Sequence, residues 1–277
     1  MIDVVYNDFF RKKGFVLDDA YDLYKLKNFL KYYLENKIEY IKCKDTALDN
    51  LKCFKDLKYL TIPKEAINYF ELYKLIDLRG IELCYTQLQL IPNDIQVSLE
   101  SLILHCGKDS LDFTSIPTNL KELKIDGFPG FNNTDLYFLR GLNLKCLSIM
   151  SRKLKTLKGI EHQRNLETLI IHSCSNLYDV SNLSNLKKLK TLHLSECNKL
   201  QKNFADFFPG SLEELTVYGS ESYGPKCSFP EFDFLQKMKN LKLFKTNWKI
   251  SPEQLISIRN IVPKLDIYIV QAERLSR

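Results

Sequence analysis

Glycine is scarce in this chain, ten residues in 277, and none belongs to the kind of glycine-rich loop that cradles phosphate groups. No apolar run approaches the roughly 18–20 residues that span a bilayer, so neither a transmembrane helix nor a membrane partner is expected. The first eight residues, Met1-Ile2-Asp3-Val4-Val5-Tyr6-Asn7-Asp8, are acidic and lack the apolar core of a signal peptide. Eight cysteines stand at 43, 53, 84, 106, 146, 174, 197 and 227, and no two of them make a Cys-x-x-Cys pair. The simplest expectation is free thiols in a cytoplasmic protein, although one exported without a classical signal peptide would look alike. Metal-ligand spacing is missing too, so neither a metal nor another cofactor is expected.

The net charge of +6 is too weak by itself to imply nucleic acid. It is unevenly spread, however. Residues 61–139 carry six basic and eleven acidic side chains, whereas residues 140–202 carry twelve and four. A bipolar surface can steer an oppositely charged partner, and the lysines can equally form a solvated back face.

What the chain does have is repetition. The string L-x-x-L-x-L recurs with conservative replacements, starting at Ile38, Leu57, Leu78, Leu99, Leu120, Leu144, Leu166, Leu189, Leu212, Leu241 and Leu265. Clear copies are Leu120-Lys121-Glu122-Leu123-Lys124-Ile125 and Leu189-Lys190-Thr191-Leu192-His193-Leu194. Along a short strand the fourth and sixth positions point inward, and the fifth and seventh point out. The residues that follow carry the chain across the back of a coil and return it one strand over. One turn cannot bury its leucines alone, so neighbouring turns must stack.

Spacing and motif together resemble the leucine-rich-repeat family over about residues 38–270. Leu189 to Leu200, L-K-T-L-H-L-S-E-C-N-K-L, is similar to the cysteine-containing repeats of plant immune receptors. Ile116-Pro117-Thr118-Asn119-Leu120 resembles the repeats of secreted bacterial effectors. The implied fold is α/β: a solenoid with a curved parallel sheet on its concave face and short helices and loops on its convex face. The family's ninth-position asparagine is absent, replaced by Thr46, Thr86, Cys174, Cys197 and Ser220 among others. Residues 1–37 are expected to form a helical N-terminal cap, with Leu23, Leu26, Leu30, Tyr33 and Leu34 on one helix face. Residues 38–250 hold the repeats, and 251–277 a capping helix and last strand. That helix starts at Ser251-Pro252-Glu253-Gln254, a capping box with proline in the first turn.

Candidates for chemistry are few. Cys43-Lys44-Asp45 matches the C-x-D string of bacterial ubiquitin ligases that carry leucine-rich repeats, but Cys43 falls on an inward sixth position and no room is left for the large catalytic domain. His172 and His193 come from adjacent turns, where a metal or acid–base role competes with that of plain contact residues.

Repeat position lists the concave face directly. Its outward fifth, seventh and eighth positions include Tyr85, Ile103, His105, Met150, Ile170, His172, His193, Tyr218 and Trp248. The centre is uncharged with apolar anchors, the composition of a protein interface core. A nucleic-acid groove would show a Lys/Arg stripe instead, so nucleic acid is not the expected partner, and nothing suggests a small-molecule substrate. The reading is a non-enzymatic protein-binding module, such as a bacterial immunity protein or a secreted effector or adaptor. The alternatives are an enzyme of the ligase kind and nucleic-acid binding through residues 140–202.

Overall fold

The structure is a computed structural model describing residues 4–17, 23–44, 48–66, 69–107, 116–127, 130–219, 232–248 and 250–269. It divides into two units, Met1–Asp126 and Gly127–Arg277. Asp45, Thr46, Ser220 and Cys227 lie outside the described residues.

The first unit holds strands β1 (Val4–Asn7), β2 (Lys12–Leu17), β3 (Tyr40–Cys43), β4 (Tyr59–Thr61), β5 (Gly80–Cys84), β6 (Ser101–His105) and β7 (Glu122–Asp126), with helices α1 (Leu23–Asn36) and α2 (Asn93–Ser98). From β2 onward the strands pair in parallel and in chain order. Ile41, Leu60, Ile81, Leu102 and Leu123, the fourth residues of successive repeats, stand opposite one another and are fully buried. The second unit repeats the arrangement with β8 (Cys146–Met150), β9 (Thr168–His172), β10 (Thr191–Ser195), β11 (Glu214–Tyr218), β12 (Leu243–Thr246) and β13 (Asp266–Ile269), plus helix α3 (Pro252–Ile261). Here Leu147, Leu169, Leu192, Leu215 and Phe244 form the buried row. Each unit is a leucine-rich-repeat coil.

The return path of most turns is one short 3-10 segment, such as Asp49–Cys53, Tyr85–Leu90 and Ser181–Asn185. Leu51, Leu88 and Leu183 point from these segments into the core and are almost completely buried. Buried amides take over part of what an asparagine ladder does. Gln87 donates to the carbonyls of Pro63 (2.8 Å) and Lys64 (2.7 Å) one turn back and accepts from the Cys84 amide (2.9 Å). Gln163 likewise donates to Leu139 O (2.8 Å) and accepts from Leu144 N (3.0 Å). At the ninth position the thiols of Cys174 and Cys197 point at backbone carbonyls, 3.5 Å from His172 O and 3.4 Å from Ser195 O. Sulfur is a weak donor, so the amides carry more of the cross-turn bonding.

Two expectations need correction. The N-terminal region is not simply a helical cap. Residues 4–17 form an antiparallel hairpin, β1 on β2, and β2 adds a further parallel strand before the first L-x-x-L-x-L copy. The helix follows it, but its buried face is Leu26, Phe29 and Tyr33, while Leu34 is exposed. Phe29 stacks on Phe15 of β2 at 5.4 Å, which fixes that rotation. The second correction is a one-residue shift in the last repeat. Ile267, not Tyr268, stands opposite Phe244, and Tyr268 aligns with Lys245 on the outward face. The capping box of α3 is present as read: Gln254 N donates to Ser251 Oγ (3.2 Å) and Ser251 N to Gln254 Oε1 (2.8 Å).

Candidate functional site

Part of the outward face of the first unit is covered by the chain's own hairpin. Phe10, in the turn after β1, sits 5.2 Å from the Tyr59 ring and 6.1 Å from Tyr40, ring centre to ring centre. Ile103 completes this buried cluster, with Val5, Phe9 and Tyr59 packed against it. Gly80 leaves the space: a Cβ there would lie 2.6 Å from the Tyr59 ring and 3.2 Å from Phe10. Asn7 of β1 then donates to Glu82 Oε2 (2.9 Å) and accepts from the Phe10 amide (3.0 Å).

Glu82 anchors a charged network beside that cluster. Its Oε2 also accepts from Thr61 Oγ1 (2.7 Å), and its Oε1 lies 2.8 Å from His105 Nε2. His105 Nδ1 is 3.4 Å from Asp126. The Asp126 and Glu82 carboxylates push His105 up to about 9, against the opposing effect of burial. Burial alone would raise Glu82, but hydrogen bonds from His105 and Thr61, with the charges of His105 and Lys42, hold it below the ordinary carboxylate range.

A pH dependence follows. The His105 pKa is higher folded than unfolded, so its stabilisation is complete below about 6.5, the unfolded value, and disappears as pH rises through about 9. Glu82 acts in the opposite sense and loses its contribution in acid. The unfolding free energy from urea titration should therefore decline between pH 6.5 and 9.5, by about 1 kcal/mol or less because solvent reaches the ring and screens the pair. His105→Gln should flatten that slope; an unchanged slope would show that His105 is not the titrating group.

The second unit presents a different outward face. Its seventh-position row is Met150, His172, Ser195 and Tyr218, and its fifth-position row is Ser148, Ile170, His193, Thr216 and Lys245. Met150, Ile170, His193 and Tyr218 are half-buried and His172 is exposed. His193 packs edge-on against Tyr218 at 5.8 Å. Burial, then the neighbouring His172 and Lys245, lowers the His193 pKa, which favours the neutral ring at neutral pH. No segment of the described chain lies over this patch as the hairpin lies over Ile103.

Three of the predicted surface residues are not at the surface. Ile103 is 2% exposed because Phe10 and its neighbours cover it. Tyr85 and Trp248 are 8% and 5% exposed, since the chain turns inward after the strand. Tyr85 opens a 3-10 segment, and Trp248 packs on Phe204 at 6.3 Å. Position eight stays outward at Ser173 and Glu196, both of which adopt left-handed backbone, φ 51° and 56°. Ser173 Oγ donates to Glu196 Oε2 at 2.6 Å across those two turns. His105 lies in the Glu82 network. Met150, Ile170, His172, His193 and Tyr218 are brought together on adjacent strands. Sequence reasoning missed the hairpin residues Asn7, Phe9 and Phe10, whose only local signal is the Phe9-Phe10 pair in a polar stretch.

The chemistry on this face is limited. His172 Nδ1 lies 2.6 Å from Ser195 Oγ, but Ser195 is buried and among the described residues no carboxylate is hydrogen-bonded to His172. A serine nucleophile needs an exposed hydroxyl and an oriented base. Among the described residues no three of His, Cys, Asp and Glu converge as a metal site requires. Cys43 is buried in β3, and burial pushes the thiols of Cys106 and Cys174 up to about 12. Thiolate is the reactive form. Of the described cysteines, brief iodoacetamide treatment of native protein at neutral pH should therefore label exposed Cys53 first and spare Cys43, Cys106, Cys174 and Cys197, read by peptide mass spectrometry. Early labelling of Cys174 would contradict its burial.

Neither a family model nor a curated protein matches the chain. Solved structures do. The Toll–Spatzle complex from Drosophila aligns at 12% identity with a TM-score of 0.47, covering 94% of this chain and 43% of that one. A leucine-rich-repeat protein of Leptospira interrogans aligns at 18% identity and a TM-score of 0.21, covering 79% of this chain and 91% of that one. This chain thus spans less than half the length of the first. Its leucine-rich-repeat architecture rests on the strand register of each unit. No described helix is long and apolar enough to cross a membrane.

Proposed function

We propose that this chain is a non-enzymatic protein-binding module whose partner docks on the outward face of the second unit. The contrast between the two outward faces supports this best. Where the first unit carries Ile103 and Tyr59, the chain supplies Phe10 to cover them. Where the second carries Met150, Ile170, His193 and Tyr218, the same kind of uncharged surface is left half-open. Aromatic and Met side chains on a charge-poor centre, with Lys245 and Glu196 at its margin, have the anatomy of an interface core with a polar rim. Stoichiometric neutralisation of one protein suits such a surface, as in an immunity protein opposing a toxin, and so does an effector or adaptor role.

Alanine at Tyr218 or Ile170 tests this reading. Either substitution should weaken binding of a protein captured with the intact chain as bait by about 2 kcal/mol, roughly thirtyfold, at unchanged thermal midpoint. Full affinity in both variants would exclude this face as the docking surface.

A further inference from the structure

Residues 140–202, which supply both edges of the sheet around β9 and β10, carry twelve basic side chains against four acidic ones. All four carboxylates of residues 140–202 are engaged close to home. Glu161 accepts from Gly159 N (2.7 Å) and Asn182 Nδ2 (3.0 Å), Asp179 from Ser181 N (2.9 Å) and Glu196 from Ser173 Oγ (2.6 Å). Glu167 pairs with Lys190 at 3.3 Å. Three of the lysines meet neutral oxygens. On the edge that leads into the strands, Lys188 Nζ donates to Asn165 Oδ1 (2.6 Å), Asn165 donates to Asn143 (2.8 Å) and Lys187 donates to Ser184 O (2.7 Å). On the edge leading out, Lys199 Nζ donates to Asn176 Oδ1 (2.6 Å) and Asn176 to Arg152 O (2.6 Å).

Each rim is therefore a hydrogen-bonded ladder that holds ammonium groups in place without cancelling their charge. Arg164 lines one surface cavity with Lys187 and Lys188, and exposed Lys153 and Lys155 lie in the segment after β8 that contains Arg152. Between the rims run the five-residue strands β9 and β10, about 17 Å long, carrying Ile170, His172 and His193. A single-stranded nucleic acid would want cations along one track with aromatic rings in it to stack the bases. Here the rings lie in the middle and the charges on both sides.

Building on the reading of the preceding subsection, we infer that the partner is an acidic protein, with carboxylate clusters flanking an apolar contact. One cluster meets Arg164, Lys187 and Lys188, and the other meets Lys153, Lys155 and Lys199. Attraction between the two speeds encounter and sets orientation, and salt weakens it.

The test uses the intact chain as bait for a displayed library of random constrained peptides, with labelled oligouridylate as a separate probe. The enriched peptides should combine apolar residues with Asp and Glu. Their affinity should fall about tenfold or more in Arg164→Glu/Lys188→Glu and in Lys153→Glu/Lys199→Glu, and should weaken steeply with salt. These rim side chains are exposed, so unchanged circular dichroism and thermal midpoints confirm that the variants fold. Enriched peptides that are neutral or basic, yet still need Tyr218, would overturn the acidic partner and leave the docking face standing. Acidic peptides indifferent to both rim variants would overturn it too. Failure to obtain any peptide that needs Tyr218 or Ile170 would remove the docking face itself. Oligouridylate binding lost in the rim variants but kept in Tyr218→Ala would replace the acidic protein with a nucleic acid.

Discussion

Phe10→Ala is expected to destabilise the first unit by about 3–5 kcal/mol, the usual cost of removing a buried phenyl ring. The ring is nearly inaccessible, and Tyr40, Tyr59, Phe9 and Ile103 surround it. Its loss leaves a cavity that these neighbours can only partly fill, and it exposes Ile103 to water. Loss of the ring also loosens the turn that holds Asn7 against Glu82, so the effect on the network should exceed that of one contact. Urea denaturation with a constant slope would measure it. Phe9→Ala, at a partly buried site, should cost less. Equal midpoints for wild type and Phe10→Ala would mean that the turn does not pack on the outward face.

Leu192→Ala should cost about 2–5 kcal/mol. Leu192 is fully buried at the fourth position of β10, between Leu169 and Leu215 in the neighbouring strands. Stability in a stacked coil is carried by each turn and its two interfaces, so a cavity at Leu192 weakens contacts on both sides. Leu169→Ala should behave alike, while Thr191→Ala, half-exposed one residue away, should change the midpoint little. A small effect at Leu192 with a large one at Thr191 would reverse the inside and outside of the strand.

The register of ten repeats was readable because an apolar residue occupies the fourth position of every one and the sixth of all but the repeat with Thr246, and the chain between them alternates. Slipping a strand by one residue would turn its leucines to solvent, so the pattern has one phase. The last repeat lacks that protection. Leu265, Ile267 and Ile269 alternate with Tyr268 and Val270, so two phases bury similar residues. Only pairing of Ile267 with Phe244 chooses between them. Strand β2 was missed for a related reason: Lys12-Lys13-Gly14-Phe15-Val16-Leu17 has no L-x-x-L-x-L, and its pairing with β3 depends on helix α1 bringing the chain back.

The outward face was half-legible. Direction at positions five and seven follows from strand geometry, which is why Met150, Ile170, His172, His193 and Tyr218 meet as expected. Position eight lies beyond the strand, where Ser173 and Glu196 take left-handed backbone and stay outward while Tyr85 and Trp248 are buried.

By itself the sequence determined the repeated coil, the residues that fill its core and the strand faces they leave outside. Those follow from periods of two and about twenty residues, which are local and recur often enough to reinforce one another. Tertiary structure alone decided which outward residues remain open to a partner. Asn7 and Glu82, 75 positions apart, must come together before Phe10 covers Ile103. Contact between such distant residues leaves no periodic trace, because it depends on how the hairpin folds across strands it does not adjoin in the chain.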